Sequence, residues 1–426
     1  MSLHPVVGGS IADHFRSVNL APHQVLPMNQ SIPNPPVLRQ ISVRAAMDLL
    51  LHEGPMSRAA LAKKTGLSKQ TMSEVIRTLE ESGWVQVKGV VSGKVGRSAI
   101  TYEVAANAGY ALGLDIGATM VRMALVNIAG TIVEECEQPS GGLSGVNLLT
   151  LTHDMLETSL KRAGIAREKI LLAAVATPGV VDPLSGALTL APNMGDLSGL
   201  DLVAGLSKAL GAGVIVENDI NAAMVGEAWK GCSAGIENGA FISLGTGIGL
   251  GMMVNGKLMR GAHGAAGEIS YLPFGADPYA SESLDRGALE CAIGARGIME
   301  RYRAMGGEAA AVREVLERAV AGDRAAHGAI AETARLTALL VVSVDAMFDP
   351  QKIVLGGNVG RHPLMVRLIG EALPACSRKR ITVEASLLGS RATMVGAVAL
   401  ALNQLHNTLF SPQDLPSEMR LPSFVA

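Results

Sequence analysis

Two glycine-rich loops, each set between apolar strands, constrain this chain more than any other feature. Asp115-Ile-Gly-Ala-Thr119 follows the apolar run Ala111–Leu114, leads into a second run ending at Val126, and turns at Asn127–Gly130. Leu244-Gly-Thr-Gly-Ile-Gly-Leu-Gly251 follows Phe241–Leu244, leads into another strand, and turns at Asn255-Gly256. The two segments read as distant copies of one hairpin unit. Glycine between strands lets backbone N–H groups approach phosphate oxygens, and a threonine hydroxyl adds a hydrogen bond. The candidate phosphate contacts are Gly117 and Thr119 in the first loop and Gly245, Thr246, Gly247 and Gly249 in the second. Asp115 can hold Mg²⁺, directly or through water. Two such loops facing each other across a cleft would cradle one nucleotide between two lobes. A third glycine pair, Gly356-Gly357, ends another apolar strand and can face a purine.

Between the loops, the apolar strand Val214–Val216 runs into Glu217-Asn218-Asp219-Ile-Asn221. Two readings stand side by side. Asn218 or Asp219 caps the helix that begins near Ile220. Alternatively, both offer polar groups to a polyol at the carboxyl end of the strand, where open α/β sheets bind ligands.

Ahead of the first loop lies a different kind of unit. Residues 1–36 lack apolar periodicity and end in Ile32-Pro-Asn-Pro-Pro36, the mark of a flexible tail. A first helix follows, with Leu38, Ile41, Ala45 and Leu49 expected on its apolar face. Gly54-Pro55 breaks it, Ser57 caps a second helix through Arg58–Thr65, and Gly66-Leu67 makes a tight turn. Ser68 caps a third helix whose Met72, Val75, Ile76 and Leu79 form a buried stripe. That burial turns Lys69, Gln70, Thr71, Ser73, Glu74 and Arg77 outward, as base edges in a major groove require.

Gly83 ends the third helix, and strands at 84–88 and 99–104 flank a wing over 92–98. Lys94 and Arg97 in the wing suit phosphates or a narrow minor groove. A trihelical protein-interaction module would share the solvated face. The turn, the capped third helix and the basic wing, occurring together and in order, favour DNA. The expected DNA contacts are therefore Ser68, Lys69, Gln70, Thr71, Ser73, Arg77, Lys94 and Arg97.

Composition sets the frame for both units. A length of 426 residues suits two to three domains, and 48% apolar with only 3% aromatic residues leaves Ala, Val, Leu and Gly to fill an α/β interior. The head at 37–106 holds 10 Lys and Arg against 6 Asp and Glu, the remainder 26 against 32. A basic head on an acidic body fits a head that meets phosphates. Cys136, Cys232, Cys291 and Cys376 show no CxxC spacing and read as reduced thiols outside any metal site or disulfide framework. No basic-then-apolar leader opens the chain, and the most apolar stretch, Ala338–Val344, is too short to span a bilayer. A cytoplasmic protein without a membrane partner is expected.

Taken in order, the first loop, Ala176–Pro183, Ala191-Pro-Asn193, Glu217–Ala223, the second loop and Gly264–Ser270 resemble the ROK family of sugar-responsive repressors and sugar kinases. The resemblance covers residues from about 108 to 406, and with the head in front the chain resembles the repressor branch, which includes xylose and N-acetylglucosamine repressors. It implies an α/β chain: an N-terminal winged helix-turn-helix followed by a two-lobed, actin-like ATPase fold. The implied division is a tail at 1–36, a DNA-binding domain at 37–106, lobe 1 at 107–235, lobe 2 at 236–406 with its last helix returning to lobe 1, and a tail at 407–426.

The resemblance also implies roles. Asp219 matches the general base of the kinases, catalytic only if the chain turns over ATP. Asn193, Asn218, Asp219, Glu268 and Glu290 match sugar-binding positions, and Thr119 with 245–249 matches the phosphate cradle. The chain departs from the family where a Glu-x-Gly-His and a cysteine-rich loop bind zinc. It reads Glu268-Ile-Ser-Tyr271 here, and no cysteine precedes Glu290 in that segment. Lone Cys291 cannot make a tetrahedral site, so no zinc is expected. Hydrogen bonds and ion pairs of Asp277, Asp285 and Arg286 are expected to hold Phe274–Leu289 instead. His263 then reads as a loop residue, while Tyr271 can still offer its hydroxyl to a sugar.

Ala118 stands where kinases typically have a second glycine and crowds the first loop. The expectation is a DNA-binding transcriptional regulator, a repressor of carbohydrate genes with a sugar as effector. It would act as a homodimer or a dimer of dimers on an inverted-repeat operator. No cofactor is required, although Mg-ATP fits the loops. The alternative is an ATP-dependent sugar kinase carrying a DNA-binding head.

Overall fold

The computed structural model describes residues 37–92, 98–141, 145–181, 188–189 and 202–411. Among the expected site residues, Lys94, Arg97 and Asn193 lie outside these ranges, as does the wing tip at 93–97.

Local chemistry sets the head. It runs α1 (Val37–Glu53), β1 (Met56–Ser57), α2 (Arg58–Thr65), α3 (Lys69–Glu81), β2 (Val85–Ser92) and β3 (Ser98–Val104). The Ser57 and Ser68 side chains accept hydrogen bonds from the backbone N–H groups of Ala60 and Thr71, capping α2 and α3. Gly83, at φ 77°, turns the chain so that Trp84 N–H returns to the Leu79 carbonyl at 2.9 Å. α3 buries Met72, Val75, Ile76 and Leu79, as its spacing requires. The two-residue β1, too short to carry a pattern, pairs with β3 in the sheet β1-β3-β2.

The apolar face expected of α1 is wrong. Leu38 is 79% exposed and Ile41 lies at the surface, while Val43, Ala46, Met47, Leu50 and the full side chain of Arg44 are buried. The helix is rotated because it packs on two surfaces at once, the rest of the head and the C-terminal helix.

The body repeats one topology. Lobe 1 contains β4 (Tyr110–Ile116), β5 (Met120–Asn127), β6 (Ile132–Pro139), α4 (Gly145–Ala163), β7 (Ile170–Thr177), the short pair β8 (Val180–Val181) and β9 (Leu188–Thr189), α5 (Leu202–Leu210) and β10 (Gly213–Asn218). Its sheet, sheet 1, runs β10-β7-β4-β5-β6. After α6 (Asp219–Lys230), lobe 2 opens with β11 (Gly239–Leu244), β12 (Ile248–Val254) and β13 (Lys257–Leu258). It continues through α7 (Ser281–Arg286), α8 (Ala288–Ile293), α9 (Ala295–Ala304), α10 (Val312–Val320) and α11 (Arg324–Phe348). Then come β14 (Lys352–Gly356), α12 (Gly357–Gly360), α13 (Pro363–Cys376) and β15 (Val383–Ala385), and the strands of this lobe form sheet 2, ordered β13-β12-β11-β14-β15.

In each sheet the first three strands are antiparallel neighbours, and the last two add in parallel beside the first. The duplication suspected from two hairpins thus extends to five-stranded sheets. Every residue of the central strand β4 is buried, as a sheet covered on both faces demands.

Two helices join the lobes. α6 lies on sheet 2, where a Cβ at Gly251 would come within 2.7 Å of the Ile220 carbonyl oxygen. α14 (Ala392–Phe410) leaves lobe 2 and lies on sheet 1, where a Cβ at Gly113 would meet Val398 at 2.5 Å. The helices cross at Gly226 and Gly396, backbone against backbone: a Cβ at Gly396 would sit 1.6 Å from the Ala222 carbonyl oxygen. The tail expected from residue 407 is a further correction, since α14 continues to Phe410. Its last turn is held by the head. The buried Arg44 guanidinium donates to Asp48 at 2.9 Å, to Asn407 at 2.8 Å and to the Ser411 hydroxyl at 2.7 Å. Head and lobe 1 consequently share one apolar core.

Candidate functional site

On the head, Ser68, Lys69, Gln70 and Arg77 are exposed along α3, with Arg77 4.0 Å from Glu81. Thr71 and Ser73 are only half exposed. The Thr71 hydroxyl lies 2.8 Å from that of Ser68, and the Ser73 hydroxyl donates to the Lys69 carbonyl at 2.8 Å. Both were expected to face outward; a cap and an i−4 backbone bond occupy them instead.

The body gathers carboxylates from distant parts of the chain at the facing ends of the two sheets. Asp115 ends β4, and Asp219 opens α6. Burial pushes the Asp115 carboxyl up to about 7, and the nearby Asp219 adds to this, against the pull of Arg122 at 3.5 Å. Burial likewise raises Asp219 to about 6; the N–H of Ile220 opposes the shift, and Glu268 adds to it. Glu268 is itself raised, by burial and then by Glu290. Four acids thus lie within electrostatic reach of one another, in a chain running from lobe 1 to lobe 2. Such a site offers acceptors to a polyhydroxyl ligand or charge to a cation.

Asn218 takes the capping role. Its side-chain oxygen accepts from Ile220 and Asn221 N–H at 2.9 and 3.1 Å, and its amide donates to the Gly179 carbonyl at 2.9 Å. In the first loop, Gly117 N–H closes a turn on the Met120 carbonyl at 2.9 Å and leaves Thr119 exposed.

The second loop is divided in its duties. Gly245 N–H turns onto the Gly247 carbonyl at 3.0 Å, and Thr246 is exposed. Glu290 sits against this loop, accepting from Ile248 N–H at 3.2 Å and pairing with Arg286 at 3.6 Å. Three expected nucleotide glycines answer to packing. A Cβ at Gly249 would press on Ile220 at 3.0 Å, one at Gly356 would enter the Phe241 ring at 2.0 Å, and Gly357 takes φ 73° against the Leu244 carbonyl.

The segment between Glu268 and Glu290 is tied by ion pairs. Glu282 meets Arg286 at 3.6 Å and Arg296 at 2.8 Å, and Tyr279 N–H donates to Asp277 at 3.0 Å. Tyr271 is half exposed, with its hydroxyl 3.4 Å from the Asp285 carbonyl. The Cys291 thiol faces the Glu282 carbonyl at 3.7 Å, and His263 is exposed. Among the described residues no three His, Cys, Asp or Glu side chains cluster as metal ligands. No helix of the described residues is long and apolar enough to cross a membrane.

Sequence reasoning missed two features. Arg44 carries no motif in the sequence, yet its side chain is fully buried. Glu217 stood inside a motif without a role, yet it receives Arg260 from the opposite lobe at 2.6 Å.

Comparison with known proteins matches the model of the ROK family to residues 111–404 and that of the MarR family to residues 45–88. The chain is 26% identical over 394 residues to the xylose repressor of Caldicellulosiruptor bescii, covering 87% of this chain and 98% of that one. It is 30% identical over 275 residues to the glucokinase of Halalkalibacterium halodurans, covering 59% and 80%. The solved structure of a ROK family transcriptional regulator, homologous to the Escherichia coli Mlc protein, shares the fold at TM-score 0.71 and 22% identity, over 88% of this chain and 98% of that one.

Proposed function

The chain belongs to the ROK family, and we propose that it is a sugar-responsive transcriptional repressor whose winged-helix head reads an operator and whose body takes a sugar as effector. One observation carries the coupling of the two: α14 touches both. The Thr393 hydroxyl donates to the Asp219 carbonyl at 3.3 Å near the start of the helix, and at its end the half-buried Asn407 accepts from Arg44 of the head at 2.8 Å while the buried Phe410 packs on Trp84. Asp219 and Glu268 accept the sugar hydroxyls, and Asn218 holds the cap that aims Asp219. A sugar that binds one lobe arrangement more tightly than the other shifts the population toward it. Release of DNA follows if the head binds the operator only in the other. The repressor acts in the cytoplasm as a homodimer on an inverted repeat, and without zinc; elemental analysis finding one tightly held zinc per chain would refute the last point.

A second reading is favoured by the raised carboxyls of Asp115 and Asp219, both lifted first by burial, with Asp219 adding to the shift of Asp115. A divalent cation at Asp115 fits this pair, because it would offset their repulsion. Bound with a nucleotide, it would neutralise phosphate charge for transfer to a sugar. Asp219 would accept the proton of the attacking hydroxyl, for which a carboxyl near about 6 is suited at neutral pH.

A paired measurement separates the readings. Operator release and ADP formation are followed with D-xylose, D-glucose and N-acetyl-D-glucosamine, for wild type, Glu268→Ala and Asp219→Asn. A repressor releases DNA with one of these sugars, loses that response in Glu268→Ala, and weakens only partly in Asp219→Asn. Sugar-dependent ADP formation by wild type, abolished in Asp219→Asn, would move the assignment to the kinase.

A further inference from the structure

We infer that the Glu217–Arg260 ion pair is a positioning element that sets the two halves of the sugar cleft in register across the lobes. The inference rests on the sugar-cleft reading above and assigns residues that the reading does not use.

Glu217 is the penultimate residue of β10 in lobe 1 and is 7% exposed. One carboxylate oxygen accepts Asn218 N–H and the Asn221 side-chain amide, both at 3.0 Å. These bonds brace the cap from which Asp219 projects. The other oxygen accepts Arg260 Nε at 2.8 Å and Nη2 at 2.6 Å. Arg260 follows β13 and belongs to lobe 2. Its carbonyl accepts Ala266 N–H at 3.1 Å, closing a loop, and two residues later comes Glu268. Gly267, at φ 96°, passes beneath β12, where its carbonyl accepts Leu250 N–H at 3.1 Å.

The guanidinium therefore fastens the loop that carries Glu268 to the strand end that carries Asp219. Such a contact has a directional consequence. A planar guanidinium meeting one oxygen through two N–H groups fixes angle as well as distance, which a lysine ammonium does not. Losing it leaves a carboxylate buried without its cation, and the lobes are then free to separate at this edge.

The test uses the full chain and an operator duplex selected from random DNA by the protein itself. The sugar is whichever of D-xylose, D-glucose and N-acetyl-D-glucosamine releases wild type. Arg260→Met should raise the sugar concentration for half release by at least about tenfold, with operator affinity in the absence of sugar unchanged. Arg260→Lys should fall between. Glu217→Gln keeps the Asn218 and Asn221 contacts and removes the charge; it should resemble Arg260→Met, and the double variant should be no worse than either single one.

Release of Arg260→Met at the wild-type sugar concentration would overturn the inference. So would an additive double variant, or parallel loss of operator binding and thermal stability, since either marks a merely structural contact. If none of the sugars releases wild type, the cleft reading itself fails, and this inference with it.

Discussion

The ring of Phe410, the last residue of α14, meets the Trp84 indole edge-on, with centroids 5.6 Å apart and planes at 89°. Trp84 lies between α3 and β2, so this contact places the end of the body's C-terminal helix inside the head's core. Phe410→Ala opens a cavity there and should cost about 3–5 kcal/mol. The loss should be local: amide hydrogen exchange should quicken in α1–α3 while sheet 2 keeps its protection, and operator affinity should fall. Unchanged protection in the head would show that the contact does not join the two units.

The cleft acids set a pH dependence with a definite sign. Asp115 near about 7 and Asp219 near about 6 hold protons in the fold that the unfolded chain releases near about 4. The folded state binds more protons across that window, so their contribution to stability is lost as pH rises from about 4 to about 7. His406 works in the opposite direction. Burial lowers it to about 4, so its contribution is present above its unfolded value of about 6.5 and is lost as pH falls toward 4. The two effects separate by variant: Asp115→Asn should gain stability over wild type near neutral pH, and the gain should shrink on acidification. Urea midpoints at about pH 5.5 and about pH 7.5 measure this, and a pH-independent difference would exclude it.

Gly396→Ala decides between propensity and packing. Alanine favours a helix over glycine by about 1 kcal/mol. At this position its Cβ would lie 1.6 Å from the Ala222 carbonyl oxygen, and backbone cannot yield as a side chain can. We expect a net loss of at least about 2 kcal/mol from overpacking at the crossing of α6 and α14. A variant as stable as wild type in thermal denaturation would mean that the helices cross further apart.

The exposed tip of α3 makes a distinction between two neighbours. Gln70→Ala should cost about 1–3 kcal/mol on the selected operator and relax preference at one base pair. Lys69→Ala should weaken binding evenly across sequences and reduce the salt slope by about 1. Titrations against matched and mutated duplexes at several salt concentrations test both. Equal loss on every duplex for both variants would remove Gln70 from base readout.

What could be read directly from the sequence is what neighbours along the chain decide. The Ser57 and Ser68 caps, the stripe Met72–Leu79, the turn at Gly83 and the strand-loop-strand units around Asp115 and Gly245 each close within a few residues, so spacing and residue type suffice. The cap at Asn218 was legible as one of two readings for the same reason. The tertiary structure alone decided which face of α1 is buried, because some of its partners lie on α14, 363 residues from Arg44 in the case of Asn407. It alone brought Arg260 to Glu217, 43 residues away and in the other lobe, and set Gly396 against Ala222. Those contacts obey no local period. A buried arginine, a glycine at a helix crossing and an inter-lobe ion pair are fixed by what the chain meets after folding, and residue type at one position carries no record of its distant partner.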